Sequence, residues 1–441
     1  MNRRKDKRME QTSIHIERFV KKEEEGLYFI QPFEVPEGVE KIEISYEYPR
    51  YITEDREDNS TSRKEINIID LGLNGAGGKY IGSSGSDRSH ITISAGHSSQ
   101  GFARANTDAG QWGIIIGAYK VQEGGVMVKY HITFHKKERR LLKGDTHMHT
   151  LGSDGTLSVE QIGQFGKKLG LDFVFVTDHN NYAHNFQNVE VDGISVLPGT
   201  EWTHYKGHSG FLGVKKPFES AFCVNSLQEV QEKMAEAKGN GALIVLNHPF
   251  CPNCGWKWGI EEVEYDAIEV WNGGLPTSTN LKCMEWWHNQ LLLGKKIPIT
   301  GGSDFHRFDV TRIIGMPTTC VYAMSNTLDD IITAIKNGNA YITMFTNGPD
   351  LYAEAEGKIL GETAPKGSEV KLRLWNLKGK DIICLITDQG TEEIICEDGV
   401  YEIELTRRYE QARFCRIEVI RRLVPDLPQM KILFSNPIYF S

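Results

Sequence analysis

Two histidines one residue apart, His147 and His149, can turn both imidazoles toward one ion if they stand at the ragged end of a strand. Asp154, within Ser153-Asp154-Gly155, and His179, within Thr177-Asp178-His179-Asn180, follow at a spacing that gives a second ion its ligands. Mixed nitrogen and oxygen donors of this kind suit borderline divalent metals. Nine of the fourteen histidines fall between His147 and His306, so the donors are concentrated rather than scattered. The chemistry such a set supports is hydrolysis. Adjacent divalent ions share a water, lower its pKa toward neutrality and neutralise charge on phosphoryl oxygens, with no side-chain nucleophile required. Ser303 lies beside Asp304 but lacks the flanking pattern of a nucleophile elbow, and reads as structural.

Positioning these donors requires a series of short apolar strands, each running into a polar group. Residues 173–176 end in Asp178 and His179, residues 194–197 in Glu201, and residues 242–246 in Asn247 and His248. Residues 267–270 run into Trp271 and Asn272, and residues 297–299 into Asp304 and His306. Between them, Ser158 with Gln161 and Ser226 with Glu229 form capping boxes that open helices, and Thr327 is a further N-cap. Apolar strands alternating with helices predict a parallel sheet. Polar groups after nearly every strand predict a closed βα barrel with its site on the C-terminal face, whereas a doubly wound sheet would gather ligands at one crevice.

The flanks follow a period of two. In residues 1–139, segments 29–33, 39–46, 91–93, 112–119 and 126–134 read as strands and the Gly/Ser-rich 72–85 as loop, which fits a β-sandwich or jelly roll. In residues 346–441, segments 370–374, 382–386, 401–405 and 415–419 alternate cleanly, predicting a second, smaller sandwich. The barrel would then occupy residues 140–345.

A formal charge of −9 argues against broad attraction to nucleic acid. The basic opening has no apolar stretch behind it, and no apolar run approaches membrane-spanning length. All eight cysteines follow residue 222 without framework spacing, as expected of reduced thiols in a cytoplasm. Cys251-Pro252-Asn253-Cys254 has neither a thioredoxin-like context nor a second cysteine pair, so it is expected to be redox-inert, with a local disulfide or accessory metal as the alternatives.

Taken in order, GDTHMHT, SDG, VTDHN, LPGTEWT, LNHP, IEVWNGG and GGSDFH resemble the polymerase-and-histidinol-phosphatase (PHP) superfamily of metal-dependent hydrolases, over residues 141 to about 346. TDHN, VWNG and the terminal SNPIY look most like its CehA/McbA-like branch. The resemblance implies a distorted (β/α)7 barrel with two or three divalent ions, Mn, Fe or Zn, at its mouth. It implies that His147, His149, Glu201 and Asp304 hold one ion, and that Glu201 bridges to a second bound by His248 and a histidine of the following loop. Asp154, His179 and His306 would hold a third. For that loop, the branch pattern of a Gly-His pair ahead of a short strand selects His208 over His204. Where many relatives carry histidine, this chain has Asp154, which favours harder ions such as Mn2+ or Fe2+.

Other residues admit two roles. Asp178 can orient a ligand imidazole or cap the next helix. Asn180, Asn247 and Asn272 can touch substrate or tie loops together. Trp202, Trp256, Trp258 and Trp271 read chiefly as buried packing, and Lys206, Lys257, Arg307 and Arg312 chiefly as solvated cations that can still meet phosphate. His184 and His288 are not expected to be ligands, and His15, His90, His97, His131 and His135 are expected to be structural. The expected activity is phosphoester hydrolysis on a small molecule, a nucleotide included. Carbamate, amide or carboxylic ester hydrolysis on the same centre is the alternative, and a non-catalytic ligand-binding module the reading from another class.

Overall fold

The computed structural model describes residues 11–55, 61–187, 189–309, 312–426 and 428–441. The chain divides into two compact units, Met1–Glu138 and Arg139–Ser441.

In the first unit the alternation of apolar and polar residues builds two four-stranded antiparallel sheets. One runs Gln11–Val20, Val126–Lys136, Val39–Glu47, His90–Ser94; the other runs Tyr28–Val35, Gly110–Lys120, Ile68–Asn74, Tyr80–Ser83. Inward residues from both, including Ile42, Ile44, Leu71, Trp112, Ile114, Val128 and Ile132, share one core. That is a β-sandwich. The Gly/Ser-rich stretch expected to be loop instead contains strand residues. Ile68–Asn74 and Tyr80–Ser83 pair across it, and Gly77 and Gly78 take the positive φ that their turn demands.

The second unit is mixed α/β and rich in strands, with four α-helices among the described residues. Its elements are β1 (Arg140–Asp145), α1 (Val159–Lys168), β2 (Phe173–Val176), β3 (Ser195–His204), β4 (Gly207–Leu212), α2 (Leu227–Gly239), β5 (Leu243–Asn247), β6 (Ala267–Asn272), α3 (Ser278–Leu292), β7 (Ile299–Gly302), β8 (Thr318–Ala323), α4 (Leu328–Lys336) and β9 (Ala340–Thr343). Both expected capping boxes form, Ser158 accepting from the Gln161 amide and Ser226 from that of Glu229, and Thr327 caps α4.

The expected distorted (β/α)7 barrel is not shown by these strands. Along the order β7-β6-β5-β4-β3-β2-β1, the β4 strand is antiparallel to both neighbours. The reason is length: only Tyr205 and Lys206 separate β3 from β4, which suffices for a hairpin but not for a helical crossover. Between β2 and β3 there is one 3-10 turn, Ala183–Phe186, in place of a helix. The remaining pairs are parallel. Beyond the ends of β1 and β7 the backbone pairs again, with Met148 bridged to Phe305 and the His149 amide donating to the Phe305 carbonyl at 2.8 Å. The two ends of the seven-strand path therefore meet where the donor residues lie.

The boundary expected near residue 345 falls inside the second unit. On the far side of β1 the same sheet continues through β8 and β9 into Met430–Ser435, Phe414–Arg421, Ile382–Thr387 and Gly390–Ile395. A separate sheet joins Lys358–Ile359, Asp350–Ala355, Glu369–Trp375 and Glu402–Arg408. One apolar core runs from Trp202 and Trp287 to Leu372, Ile417 and Phe434. The C-terminal strands thus complete the core instead of enclosing one of their own. Among the described residues no helix is long and apolar enough to cross a membrane.

Candidate metal centre

Glu201, near the end of β3, carries the deepest carboxylate of the cluster, with no solvent exposure. Its Oε1 lies 3.2 Å from His147 Nε2, 3.3 Å from His208 Nδ1 and 3.3 Å from His248 Nε2. Its Oε2 lies 2.9 Å from His179 Nδ1 and 3.7 Å from His149 Nε2. Asp304 Oδ1 sits 3.5 Å from His147 Nε2 and 3.2 Å from His149 Nε2. Asp154 Oδ1 sits 3.3 Å from His306 Nε2 and 3.7 Å from His179 Nε2. The structure therefore brings all nine expected ligand residues into one network. His204 is elsewhere, stacked on Trp202 and tilted against Trp258, its Nδ1 accepting from the Lys206 amide.

The donors face one another in a way that hydrogen bonding alone does not satisfy. Glu201 Oε2 and His208 Nδ1 are buried without a hydrogen-bond partner despite their close neighbours. His147 Nε2 and His149 Nε2 are 3.3 Å apart. Two nitrogens each about 2.1 Å from a shared ion stand about 3.0–3.4 Å apart. The donor set fits divalent ions, and burial grades it. His149 is fully buried, whereas Asp154 is 58 % exposed, so the cluster opens toward solvent at the Asp154 end.

Burial opposes charge on Glu201, but the facing imidazoles of His147, His179 and His208 hold its carboxyl well below the usual range. Asp304 likewise is buried, and His147, His149 and His248 hold its carboxyl well below the usual range. Burial pushes the His149 imidazole down, toward its neutral, lone-pair form.

Tight backbone places these groups. Asn180, His248 and Asp304 adopt φ of 45°, 29° and 51°, in the left-handed region that side chains seldom occupy. All three adjoin or belong to the cluster, and such strain persists only where surrounding contacts over-determine it. Arg312 supplies one such contact, donating to the Asp304 carbonyl at 2.7 Å and lying 2.8 Å from its Oδ2. Its guanidinium, expected chiefly to be a solvated cation, is instead engaged with Asp304.

Asp178 does neither of the things considered for it. Its carboxylate accepts from the Thr150 amide at 2.6 Å, the Thr150 hydroxyl at 2.6 Å and Ser153 Oγ at 2.8 Å, with His184 Nδ1 at 3.2 Å. It ties the loop after His149 to the end of β2, while His179 Nδ1 meets Thr203 Oγ1 at 2.6 Å. The amides are also tied internally: Asn180 donates to the Thr203 carbonyl, Asn247 to Glu201 Oε1 at 2.9 Å, and Asn272 to Glu269 Oε2 at 3.1 Å. Trp202, Trp256 and Trp271 are buried, and Trp258 is half-buried beneath Lys206 Nζ.

Sequence reasoning missed Glu269 and Asp145. Glu269 Oε1 accepts from His147 Nδ1 at 3.0 Å, and its Oε2 accepts from the His248 amide at 3.0 Å. A proton on His147 Nδ1 leaves Nε2 with the lone pair a metal needs. The available signal was a carboxylate inside an otherwise apolar strand, since a buried charge needs a partner. Asp145, fully buried, accepts from the amides of His147, Ser303 and Gly315, and burial pushes its carboxyl up to about 6. Glu269→Gln is expected to weaken metal binding by about tenfold or more while the fold survives, because partners of ligand imidazoles typically contribute that much. Titration with Mn2+ on the folded variant checks this.

No family model matches the chain, and no curated protein matches it either. Solved structures do. One is a two-domain protein containing a predicted PHP-like metal-dependent phosphoesterase from Bacteroides vulgatus, 17 % identical, with a TM-score of 0.39, the match covering 68 % of this chain and 96 % of that one. A second, from Bifidobacterium adolescentis, is described as a candidate metal-dependent phosphoesterase; it is 18 % identical with a TM-score of 0.32, covering 39 % and 90 %. A third is an amidohydrolase from Chromobacterium violaceum with bound sulfate and no metal, 17 % identical with a TM-score of 0.27, covering 37 % and 87 %.

Proposed function

We propose that this chain is a metal-dependent phosphoesterase of the PHP kind. The observation that supports the reading most is one fully buried carboxylate, Glu201, reached by His147, His179, His208 and His248 from four different strand ends or loops. His147, His149, Glu201 and Asp304 would hold one ion, Glu201, His208 and His248 a second, and Asp154, His179 and His306 a third. Divalent ions in these places would supply Lewis acidity, the chemistry that activates water at neutral pH and offsets charge on a phosphoryl oxygen.

The protein's own share is preorganisation. Glu269 fixes the His147 imidazole and Arg312 fixes Asp304, so these ligands need little reorientation during a reaction. The closed end, around His147 and Glu201, excludes bulk water, which strengthens charge interactions there. The exposed Asp154 end is where a small phosphate ester enters. The test is hydrolysis of p-nitrophenyl phosphate and nucleoside monophosphates before and after chelation, with Mn2+, Fe2+ and Zn2+ each restored. Phosphate release lost on chelation and regained with metal is expected. Hydrolysis of naphthyl carbamate with none of the phosphate esters would overturn the phosphoester assignment.

A further inference from the structure

The Cys251–Cys254 loop was expected to be inert, yet it folds directly onto the metal centre. Cys254 Sγ lies 3.7 Å from His248 Nδ1 and 3.1 Å from Cys251 Sγ. The opposite nitrogen of the same ring, Nε2, faces Glu201. The contacts form a chain. If His248 Nε2 keeps a lone pair for metal, its proton sits on Nδ1 and is donated to Cys254 Sγ, whose own S–H points to Cys251 Sγ. The side chain of His248 is only 8 % exposed, so few other partners can reach that Nδ1–H.

The loop is held in this shape by its backbone. The Cys251 amide donates to the His248 carbonyl, and those of Gly255 and Trp256 donate to Cys251 and Pro249, each at 2.9 Å. A Cβ at Gly255 would come within 2.4 Å of the Cys251 oxygen, so the turn requires glycine there. Both thiols are partly accessible, whereas Cys283, Cys320, Cys384, Cys396 and Cys415 are buried.

We infer that Cys254 is a positioning residue for His248 and that Cys251 and Cys254 form a reversible disulfide that withdraws it, making metal binding at the His208/His248 position sensitive to hydroperoxide. The inference rests on the metal-centre reading above. In the oxidation by hydrogen peroxide, Cys251 Sγ attacks one peroxide oxygen; the O–O bond breaks, a Cys251 sulfenic acid forms, and the other oxygen leaves as water with the Cys251 proton. Cys254 Sγ then attacks the Cys251 sulfur; the S–S bond forms, the S–O bond breaks, and the hydroxyl leaves as a second water with the Cys254 proton. The two sulfurs together lose two electrons, which the peroxide gains. A thiol donor reverses the reaction by exchange. Once bonded to Cys251, Cys254 no longer has its S–H and is drawn away from the imidazole, leaving Nδ1–H buried without its acceptor.

The test uses the full chain with Mn2+ as the probe. Reduced protein is titrated first, alongside Glu201→Gln; equal binding by the two would sink the metal-centre reading before any oxidant is added. Peroxide-treated, desalted protein is then digested under non-reducing conditions and titrated again. The expected result is a Cys251–Cys254 cross-link by mass, about tenfold weaker binding of the last Mn2+ equivalent, and recovery with dithiothreitol. Cys251→Ser should bind as the reduced wild type does and ignore peroxide, and Cys254→Ala should bind weakly in both states. No cross-link, or a cross-link with unchanged Mn2+ affinity, would overturn the inference.

Discussion

Glu201→Gln should lower turnover of a phosphate ester by about 10³-fold, which corresponds to about 4 kcal/mol of transition-state stabilisation. The substitution is nearly isosteric, so the buried side chain still fills its space. What it removes is the one negative charge that His147, His179, His208 and His248 all face. An amide also offers one oxygen in place of two and puts N–H donors against imidazole nitrogens. Metal bound jointly by Glu201 should leave with the activity. Steady-state kinetics together with elemental analysis of the same sample separates this from a folding defect, which circular dichroism would register. A Glu201→Gln protein that keeps both metal and rate would remove Glu201 from the centre.

His208→Ala is expected to cost about 10²-fold in rate and to lower bound metal, whereas His204→Ala should keep its metal. The two histidines stand four residues apart on opposite sides of the same hairpin tip, yet their surroundings differ. His208 Nδ1 is buried, lacks a hydrogen-bond partner and lies 3.3 Å from Glu201. The His204 ring is parallel to Trp202 within 5°, centroids 5.9 Å apart, and rests against Trp258. Removing a ligand empties a metal position, while removing a stacked ring loosens packing at the mouth. Metal content of both variants, measured after one purification protocol, decides between them. Loss confined to His204→Ala would move the assignment by four residues.

The donors were readable because each follows a short apolar run, and a strand that must be buried on both faces leaves its chemistry at its ends. The helix starts were readable for a similar reason: Ser158, Ser226 and Thr327 satisfy local amides, and nothing distant competes with them. Glu269 is different. It sits within a strand, and only the fold shows that its side chain reaches His147 on one side and the His248 amide on the other. Strand direction was equally hidden, since the apolar residues of β4 look the same whether the strand runs with or against β3. The C-terminal strands show the limit of alternation. Val370, Leu372 and Leu374 announce one buried face, but not that the core they join also contains Trp202 and Trp287. Cys254 was legible only as half of a CxxC pair, because its contact with His248 is made by a turn closed through Gly255.

The most direct measurement is the metal content of the purified protein, by elemental analysis before and after reconstitution, on wild type and on His147→Ala, Glu201→Gln and Asp304→Ala. The network of nine donors predicts more than one equivalent of transition metal in the wild type and a clear deficit in each variant. Less than half an equivalent in the wild type, unchanged by reconstitution with Mn2+, Fe2+ or Zn2+, would contradict it.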